Sequence, residues 1–195
     1  MPRPTKQQID DDILETAATL FARHGFKETS IQRIADAVGY SKTGLLHRYP
    51  TKEALQQAVV DKALRDIRVV ADAVRDLAPG PERDHAAVTG IARLAMEGRG
   101  TVSLLLSGLA SEQESDLGCS LEAIGEVIFE CFAADPETDP VRAVRVIGAL
   151  GALAVVGVTL REKPLAVTVD DLIDVSYDAL GHGRRNAAAP AGHTE

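Results

Sequence analysis

Apolar residues in the first fifty positions recur at helical spacing in three short runs. The first run consists of Ile9, Ile13, Ala17, Leu20 and Phe21, which is the spacing of one helix face. Thr5-Lys-Gln-Gln8 precedes it with the pattern of an N-terminal capping box, and Gly25 follows as a common helix terminator. We therefore predict a first helix that ends before Gly25.

Two further short helices are predicted before a long one. Thr29-Ser-Ile-Gln32 has the form of a second capping box, and it opens an apolar stripe made of Ile31, Ile34, Ala35 and Val38. Gly39 is predicted to end this second helix. Ser41 is expected to cap a third helix, which Pro50 closes by disfavouring helical dihedral angles at Tyr49. Thr51 is expected to cap the long fourth helix.

The rest of the chain also has helical periodicity and no convincing strand pattern. Pro79-Gly80-Pro81 is predicted to be a break. Further helices are predicted at 83–97, 101–114, 118–133, 140–161 and 169–181, with Gly98 and Gly100 among the residues that separate them. The fold is therefore predicted to be all-α, with about nine helices. It divides into a head at 1–53, a body at 54–182, and a tail at 183–195 whose composition predicts disorder.

Residues 30–49 have the spacing of a helix-turn-helix. Two helices that cross closely need a small residue at the contact, and Ala35 fits. The turn needs a residue that tolerates positive φ, and Gly39 fits. Leu45 is then placed to pack back on the first helix of the pair. Two ordinary helices separated by a glycine would give the same spacing, so this pattern alone leaves that alternative open.

The same region resembles the TetR family of bacterial regulators. The resemblance lies in Ile13-Leu-Glu-Thr-Ala-Ala-Thr-Leu-Phe21, in His24-Gly25-Phe26, in Thr29-Ser-Ile-Gln-Arg-Ile-Ala35, and in the run from Val38 to Leu55. It covers about residues 9–55 and implies a DNA-binding head. Leu46 departs from the family, which often has a phosphate-contacting Tyr there, and Arg48 stands where Tyr or His is common. The operator sequence therefore does not follow from the resemblance.

The resemblance, together with helix-turn-helix geometry, implies a set of DNA-binding residues. The second helix of such a pair lies in the major groove with its N-terminal residues nearest the base edges. The candidates are Ser30, Gln32, Arg33, Ser41, Lys42, Thr43, Gly44, His47, Arg48, Tyr49 and Lys52. Lys42 is expected at guanine or phosphate, and Lys52 at phosphate. For each residue the alternative is a solvated surface group, and Tyr49 could equally be a core aromatic.

Charge supports this interpretation only weakly. The chain has a formal net charge of −8, but residues 1–53 carry eight Lys/Arg against seven Asp/Glu. The head is thus less acidic than the body, as a DNA-facing domain requires. A head with so little positive charge should bind weakly by itself. A two-fold dimer on a palindromic double-stranded operator is the expected arrangement.

The body is expected to dimerise and to bind a ligand, because members of this family usually do both. Helices 140–161 and 169–181 are the predicted homodimer interface, and Gly148, Gly151 and Gly157 permit close approach between helices. The alternative for this segment is a core helix within one chain. Candidate pocket residues for an unknown small-molecule effector are Met96, Leu105, Leu109, Phe129 and Phe132. Aromatic residues make up only 4%, so an aromatic cage for a cation is not expected.

Other function classes find little support in the sequence. It contains no G-x-S-x-G, H-E-x-x-H or phosphate-binding loop motif, and no metal-ligand spacing, so no enzyme, cofactor or metal is predicted. The uncharged run at 146–160 is shorter than the ~20 residues of a membrane span. No secretory signal is recognised, and Cys119 and Cys131 show no pairing pattern, which suggests a cytoplasmic protein.

The sequence therefore predicts a sequence-specific transcription regulator, acting as a repressor that a small molecule releases from its operator. An activator, or a regulator whose signal is a protein, fits the same sequence. A different class also stays open, in which an all-helical carrier or enzyme keeps the head without using it.

Overall fold

The computed structural model describes residues 5–108, 116–159 and 168–182, and these ranges contain helices and no strand. The helices are α1 Lys6–His24, α2 Ile31–Val38, α3 Lys42–Arg48, α4 Lys52–Val74, α5 Pro81–Glu97, α6 Arg99–Gly108, α7 Asp116–Cys131, α8 Pro140–Thr159 and α9 Val169–Tyr177. A π-helical turn at Asp178–His182 continues α9. The prediction of an all-α fold is confirmed. The predicted tail at 183–195 and the predicted end of helix 101–114 lie outside the described residues.

Of the two predicted capping boxes, only the first forms. The amide of Gln8 donates to Thr5 Oγ1 at 3.2 Å, and the amide of Thr5 donates to Gln8 Oε1 at 2.8 Å. The second box is wrong, because Ser30 caps α2 by accepting from the amide of Arg33. Thr29 is buried, and its hydroxyl donates to the carbonyl of Gly25 at 2.8 Å. Thr29 thus closes the end of α1, and the next hydroxyl residue takes the cap.

Two predicted helix boundaries are also wrong, each for a local reason. Pro81 is the first residue of α5 rather than part of the break, because proline lacks only an amide that a first helical turn leaves unbonded. Gly100 lies inside α6 and is buried. A Cβ at this position would lie 2.7 Å from the carbonyl oxygen of Glu15 and closer still to Thr19 Oγ1. Glycine is therefore needed for the close approach of α1 and α6.

The apolar side chains form two cores that share α4. The head core joins α1, α2 and α3 to the first turns of α4 through residues such as Leu55 and Val59, and it also includes Leu104 of α6. The body core joins the second half of α4, including Ile67 and Val74, to α5, α7, α8 and α9. The division at 53/54 stays a prediction. The packing shows that one helix takes part in both cores.

Glu15 connects the head to the body through polar contacts. Its carboxylate accepts hydrogen bonds from the amides of Gly100 and Thr101 and from the Thr101 hydroxyl, the last two at 3.2 and 3.1 Å. A carboxylate in this position satisfies unbonded amides of the first helical turn and is favoured by the helix dipole. Glu15 therefore fixes the start of α6 on α1.

Charged groups fix the opposite end of the body. Asp84 is 0% exposed, and its carboxylate binds Arg142 Nη2 at 2.7 Å and His182 Nε2 at 2.6 Å. Arg83 donates to backbone carbonyls that include Cys131 at 2.9 Å and Glu130 at 2.7 Å. Buried charges persist only when they are paired and hydrogen-bonded. These contacts hold α5 to α7, α8 and the turn after α9.

Candidate DNA-binding surface

The helix pair α2–α3 has a turn built on glycine. Gly39 adopts φ 72° and ψ 28° in the left-handed region, where residues with a side chain are strained. The amide of Tyr40 then donates to the carbonyl of Ala35 at 2.8 Å. Ala35 and Leu45 are both 0% exposed. The predicted roles of these residues in packing α3 against α2 are confirmed.

Helix α3 presents polar residues at its exposed start. Ser41, Lys42, Thr43 and His47 are exposed, and Gly44 is half-buried. The Ser41 hydroxyl accepts from the amide of Gly44 at 3.0 Å and so caps the helix. A Cβ at Gly44 would lie 3.1 Å from Ser41 Oγ. The structure thus brings together the predicted base-contacting residues on one exposed helical turn.

The candidates on α2 lie at its exposed start. Ser30, Gln32 and Arg33 are all exposed. Gln32 Nε2 donates to Asp36 Oδ1 at 2.7 Å, which holds its side chain along α2. Ser30 has its hydroxyl oxygen occupied by the cap, so it retains only the hydroxyl proton for a phosphate.

Arg48 and Tyr49 face the head rather than open solvent. The Arg48 guanidinium forms an ion pair with the carboxylate of Asp10, and each side chain is 26% exposed. Tyr49 packs against the head core. Burial, with a contribution from Asp11, raises the pKa of the Tyr49 phenol, although Arg48 opposes the shift. The core-aromatic alternative for Tyr49 therefore has structural support, and Arg48 already has an acidic partner.

Lys52 is also held within the chain. Its Nζ donates to the carbonyl of Phe26 at 2.6 Å and to that of Lys27 at 3.3 Å. The same ammonium lies 4.3 Å from the centre of the Phe26 ring. Sequence reasoning missed both this role and the Asp10 partner of Arg48. No local spacing signals them, because the partners lie 26 and 38 positions away in the chain.

A cavity of about 470 Å³ lies in the body beneath the head. Its walls come from α1, α4, α5, α6, α7 and α8, and most of them are apolar. Representative wall residues are Ile67, Leu94, Leu105, Ile124, Ile128 and Leu153. Of the predicted pocket residues, only Leu105 lines this cavity. Leu109 lies outside the described residues.

The other three predicted pocket residues are placed in or against the body core. Phe132 is 0% exposed within that core, and Met96 and Phe129 pack against it. None of them lines the cavity. Size and apolarity alone do not separate wall residues from core residues, because both pack against neighbouring helices. The predictions for these three residues fail for this cavity.

A second exposed feature lies on α8 and α9. Val141, Val144 and Ile147 of α8 are 66%, 68% and 59% exposed, and Val175 of α9 is 56% exposed. Gly148 lies on α8, and a Cβ there would meet no atom of the described residues within 4 Å. The surroundings of Gly157, the third glycine predicted at this interface, lie outside the described residues. An apolar face of this kind with open glycine notches is typical of a helix-helix interface.

The described ranges hold no cluster of three or more His, Cys, Asp and Glu side chains arranged to hold a metal ion. Among the described helices, none combines the length and the apolar character that crossing a membrane requires.

Comparison with known families identifies the head. Residues 13–59 match the family model described as bacterial regulatory proteins, tetR family. The regulator RutR of Escherichia coli K12 is 44% identical over 52 residues, which cover 27% of this chain and 24% of RutR. The repressor AcnR of Corynebacterium diphtheriae is 35% identical over 78 residues, which cover 37% of this chain and 41% of AcnR. The chain thus spans less than half the length of these curated relatives.

Solved structures are similar over most of the chain. A TetR-family regulator from Bordetella parapertussis has a TM-score of 0.72 at 23% identity, covering 94% of this chain and 100% of that one. PfmR from Thermus thermophilus has a TM-score of 0.67 at 21% identity, covering 89% of this chain and 99% of PfmR. AibR in complex with isovaleryl coenzyme A and operator DNA has a TM-score of 0.65 at 22% identity, covering 90% of this chain and 99% of AibR. These likenesses establish the fold of head and body together.

Proposed function

We propose that the chain is a sequence-specific DNA-binding transcription regulator, because its residues 13–59 match the family model of bacterial regulatory proteins, tetR family. The observation that carries the proposal is the α2–Gly39–α3 turn with the start of α3 exposed. In this geometry the first turn of α3 enters the major groove, where Lys42 and Thr43 reach base edges or phosphates. Arg33 at the start of α2 would contact the backbone and set the register.

We further propose that the protein acts as a homodimer through α8 and α9. The exposed apolar face defined by Val141, Val144, Ile147 and Val175 supports this proposal. The open space at Gly148 and Gly151 supports it too, because no described residue lies within 4 Å of a Cβ built at either glycine. A two-fold dimer presents two copies of α3 to a palindromic operator. As a DNA-binding regulator it would work in the cytoplasm.

The regulatory role that fits best is a repressor released by a small molecule. AcnR is named a transcriptional repressor, and AibR has been solved with isovaleryl coenzyme A and operator DNA. The cavity here is bounded by α1 and α4, both of which also contribute to the head core. A ligand that binds one arrangement of these helices better than the other would shift the spacing of the two heads.

Fluorescence anisotropy tests the DNA-binding proposal. It compares binding to a labelled duplex taken from upstream of the gene that encodes this protein with binding to a scrambled duplex, across a salt series. We expect tight binding to the upstream DNA alone, with log Kd rising linearly with log salt. Lys42→Ala should weaken binding and lower the slope by about 1 to 2 for a dimer. Arg93→Ala removes the same charge from an exposed position on α5 and should change neither quantity.

Two results would contradict the proposal. Equal weak binding to both duplexes, followed by failure of a randomised-site selection, would remove the sequence-specific regulator. Equal effects of Lys42→Ala and Arg93→Ala would remove α3 as the reading helix. An all-helical carrier that retains an unused head predicts both results.

A further inference from the structure

We infer that the cavity takes an apolar ligand that carries a positively charged group. This inference rests on the proposed function, because it names the ligand class of the cavity proposed to control the head. It is carried by two features of one partly open cavity. The space has a volume typical of small-molecule sites, and its charged wall residues are nearly all acidic.

The apolar walls determine most of the ligand. The cavity is lined mainly by Leu, Ile, Val and Ala side chains from α4 to α8. An aliphatic or alicyclic body that fills this space would bury much of its surface against these walls, and loss of contact with water is the main source of affinity in such sites. None of the described wall residues is aromatic. With these walls, a cation would have to be recognised by another kind of group.

Carboxylates supply that group at the end of the cavity next to the head. The charged wall residues are Asp11, Asp12, Glu15, Asp66, Glu97 and Lys62. They lie on α1, α4 and the end of α5. Lys62 Nζ joins α4 to α1, at 3.8 Å from Asp11 and 2.6 Å from Asp66 of its own helix. With five carboxylates and one ammonium, this end of the cavity is strongly negative.

The ammonium of Lys62 could bind a ligand anion only by giving up its contacts with carboxylates of the protein. Lys62 already binds one carboxylate and lies near a second, and Glu15 is occupied by the start of α6. Within the described part of the chain, the carboxylates of Asp12 and Glu97 make neither a hydrogen bond nor an ion pair, and both side chains are exposed at the cavity edge. An ammonium or amidinium group at this end of the cavity would gain a carboxylate that has no other partner. A ligand carboxylate or phosphate would meet like charge.

Isothermal titration calorimetry on the full chain tests the inference with three probes that share one apolar body: octylamine, octanol and octanoate. At pH 7 we expect octylamine to bind one site per chain, about tenfold or more tighter than octanoate, with octanol between them. The double variant Asp12→Asn/Glu97→Gln should reduce this preference to about threefold or less. Glu122→Gln/Glu126→Gln removes the same charge from exposed residues of α7 that do not line the cavity, and should keep it.

Several outcomes would overturn the inference. They are tighter or equal binding of octanoate, no saturable binding of any probe, and a preference that survives Asp12→Asn/Glu97→Gln. Loss of the preference in both double variants would also overturn it, since general attraction to an acidic protein would then explain the result. All four substituted side chains are exposed, so the variants should fold.

Operator anisotropy with each probe separates this inference from the proposed function. If octylamine binds with the expected dependence on Asp12 and Glu97 but leaves operator affinity unchanged, the ligand class stands and release by a ligand fails. If instead an anionic compound releases the operator while octylamine does not bind, release by a ligand stands and the ligand class proposed here is wrong.

Discussion

The ammonium of Lys52 lies 2.6 Å from the carbonyl oxygen of Phe26 and directly over the ring of the same residue. Lys52 is the first residue of α4, and Phe26 lies in the turn that follows α1. One side chain therefore joins the start of the long helix to the first helix of the head. A phosphate that bound Lys52 would compete with this contact or share it.

Replacing Lys52 by Ala should destabilise the protein as well as weaken DNA binding. The lost hydrogen bond from a charged donor is expected to lower the free energy of unfolding by about 1–2 kcal/mol. Urea unfolding of Lys52→Ala beside Lys42→Ala measures the difference, because Lys42 is exposed and should leave the midpoint unchanged. Full stability of Lys52→Ala with lost DNA binding would instead assign Lys52 to phosphate alone.

Replacing Asp10 by Asn should strengthen DNA binding. The substitution removes the acidic partner of Arg48, which frees the guanidinium for a backbone phosphate at the end of α3. The salt dependence of log Kd should steepen by about 1 per head. Because both side chains of the pair are partly exposed, the free energy of unfolding should change by less than about 1 kcal/mol. Anisotropy across a salt series gives both affinity and slope.

Asp76→Asn provides the matched control for net charge. Asp76 is an exposed residue between α4 and α5, so its substitution changes the charge of the chain equally without touching Arg48. If Asp10→Asn and Asp76→Asn steepen the slope to the same extent, the release of Arg48 is not the cause.

Local pattern was sufficient to predict the helix-turn-helix. Ala35, Gly39 and Leu45 act through neighbours on adjacent turns, so their spacing carries the information, and burial and backbone angles confirm it. Ser41 and Thr51 were predicted as caps for the same reason, and both accept from the expected amides. Requirements that a residue meets within a few positions are visible in a sequence.

Long-range contacts were not predictable in this way. Gly100 looked like a helix end, yet it lies inside α6 because Glu15 and Thr19 of α1 leave no room for a side chain. Phe132 looked like a pocket residue and is in the core. In each case the partner is far away in the chain, and periodicity gives only the face of a helix, not what covers it.

Replacing Gly100 by Ala should disturb the junction of α1 and α6. The new Cβ would collide with the backbone carbonyl of Glu15, at 2.7 Å, and backbone cannot rotate away as a side chain can. We expect a loss of about 1–3 kcal/mol in the free energy of unfolding.

Gly125→Ala in α7 is the control, since a Cβ there meets no described atom within 4 Å. It should be neutral or raise stability by up to about 1 kcal/mol. Equal losses in both variants would show that the contact with α1 is not the cause, because alanine is the better helix former at both positions.

Replacing Val144 by Glu should convert the proposed dimer into monomers. Val144 is 68% exposed on α8, and a carboxylate there would be buried against its counterpart in the interface. Sedimentation equilibrium measures the mass, and operator affinity should fall with it. Val69→Glu is closely matched, because Val69 is also 68% exposed but lies on α4. A dimeric Val144→Glu, or monomers from both variants, would rule out the α8–α9 face as the specific interface.

The thiol of Cys131 should be unreactive in the folded protein. Burial, reinforced by Glu130, raises the pKa of Cys131 from 9.0 to about 11, and the residue is 0% exposed. The shift alone lowers the thiolate fraction by about a hundredfold at pH 8. In a Cys119→Ser background, reaction with a thiol reagent should therefore be at least about a hundredfold slower in buffer than in urea. Equal rates would show that the α7 end opens freely.

The same shift makes stability depend on pH in one window. The unfolded thiol releases its proton near pH 9.0, whereas the folded thiol keeps it to about pH 11. Between these values the folded state binds more protons, so the free energy of unfolding falls as pH rises. Urea unfolding of the Cys119→Ser protein from pH 8 to 10.5 should show this decline. Cys131→Ala in the same background lacks the ionising group, so its decline should be shallower. If the two decline in parallel, other groups control alkaline stability and the buried thiol does not contribute.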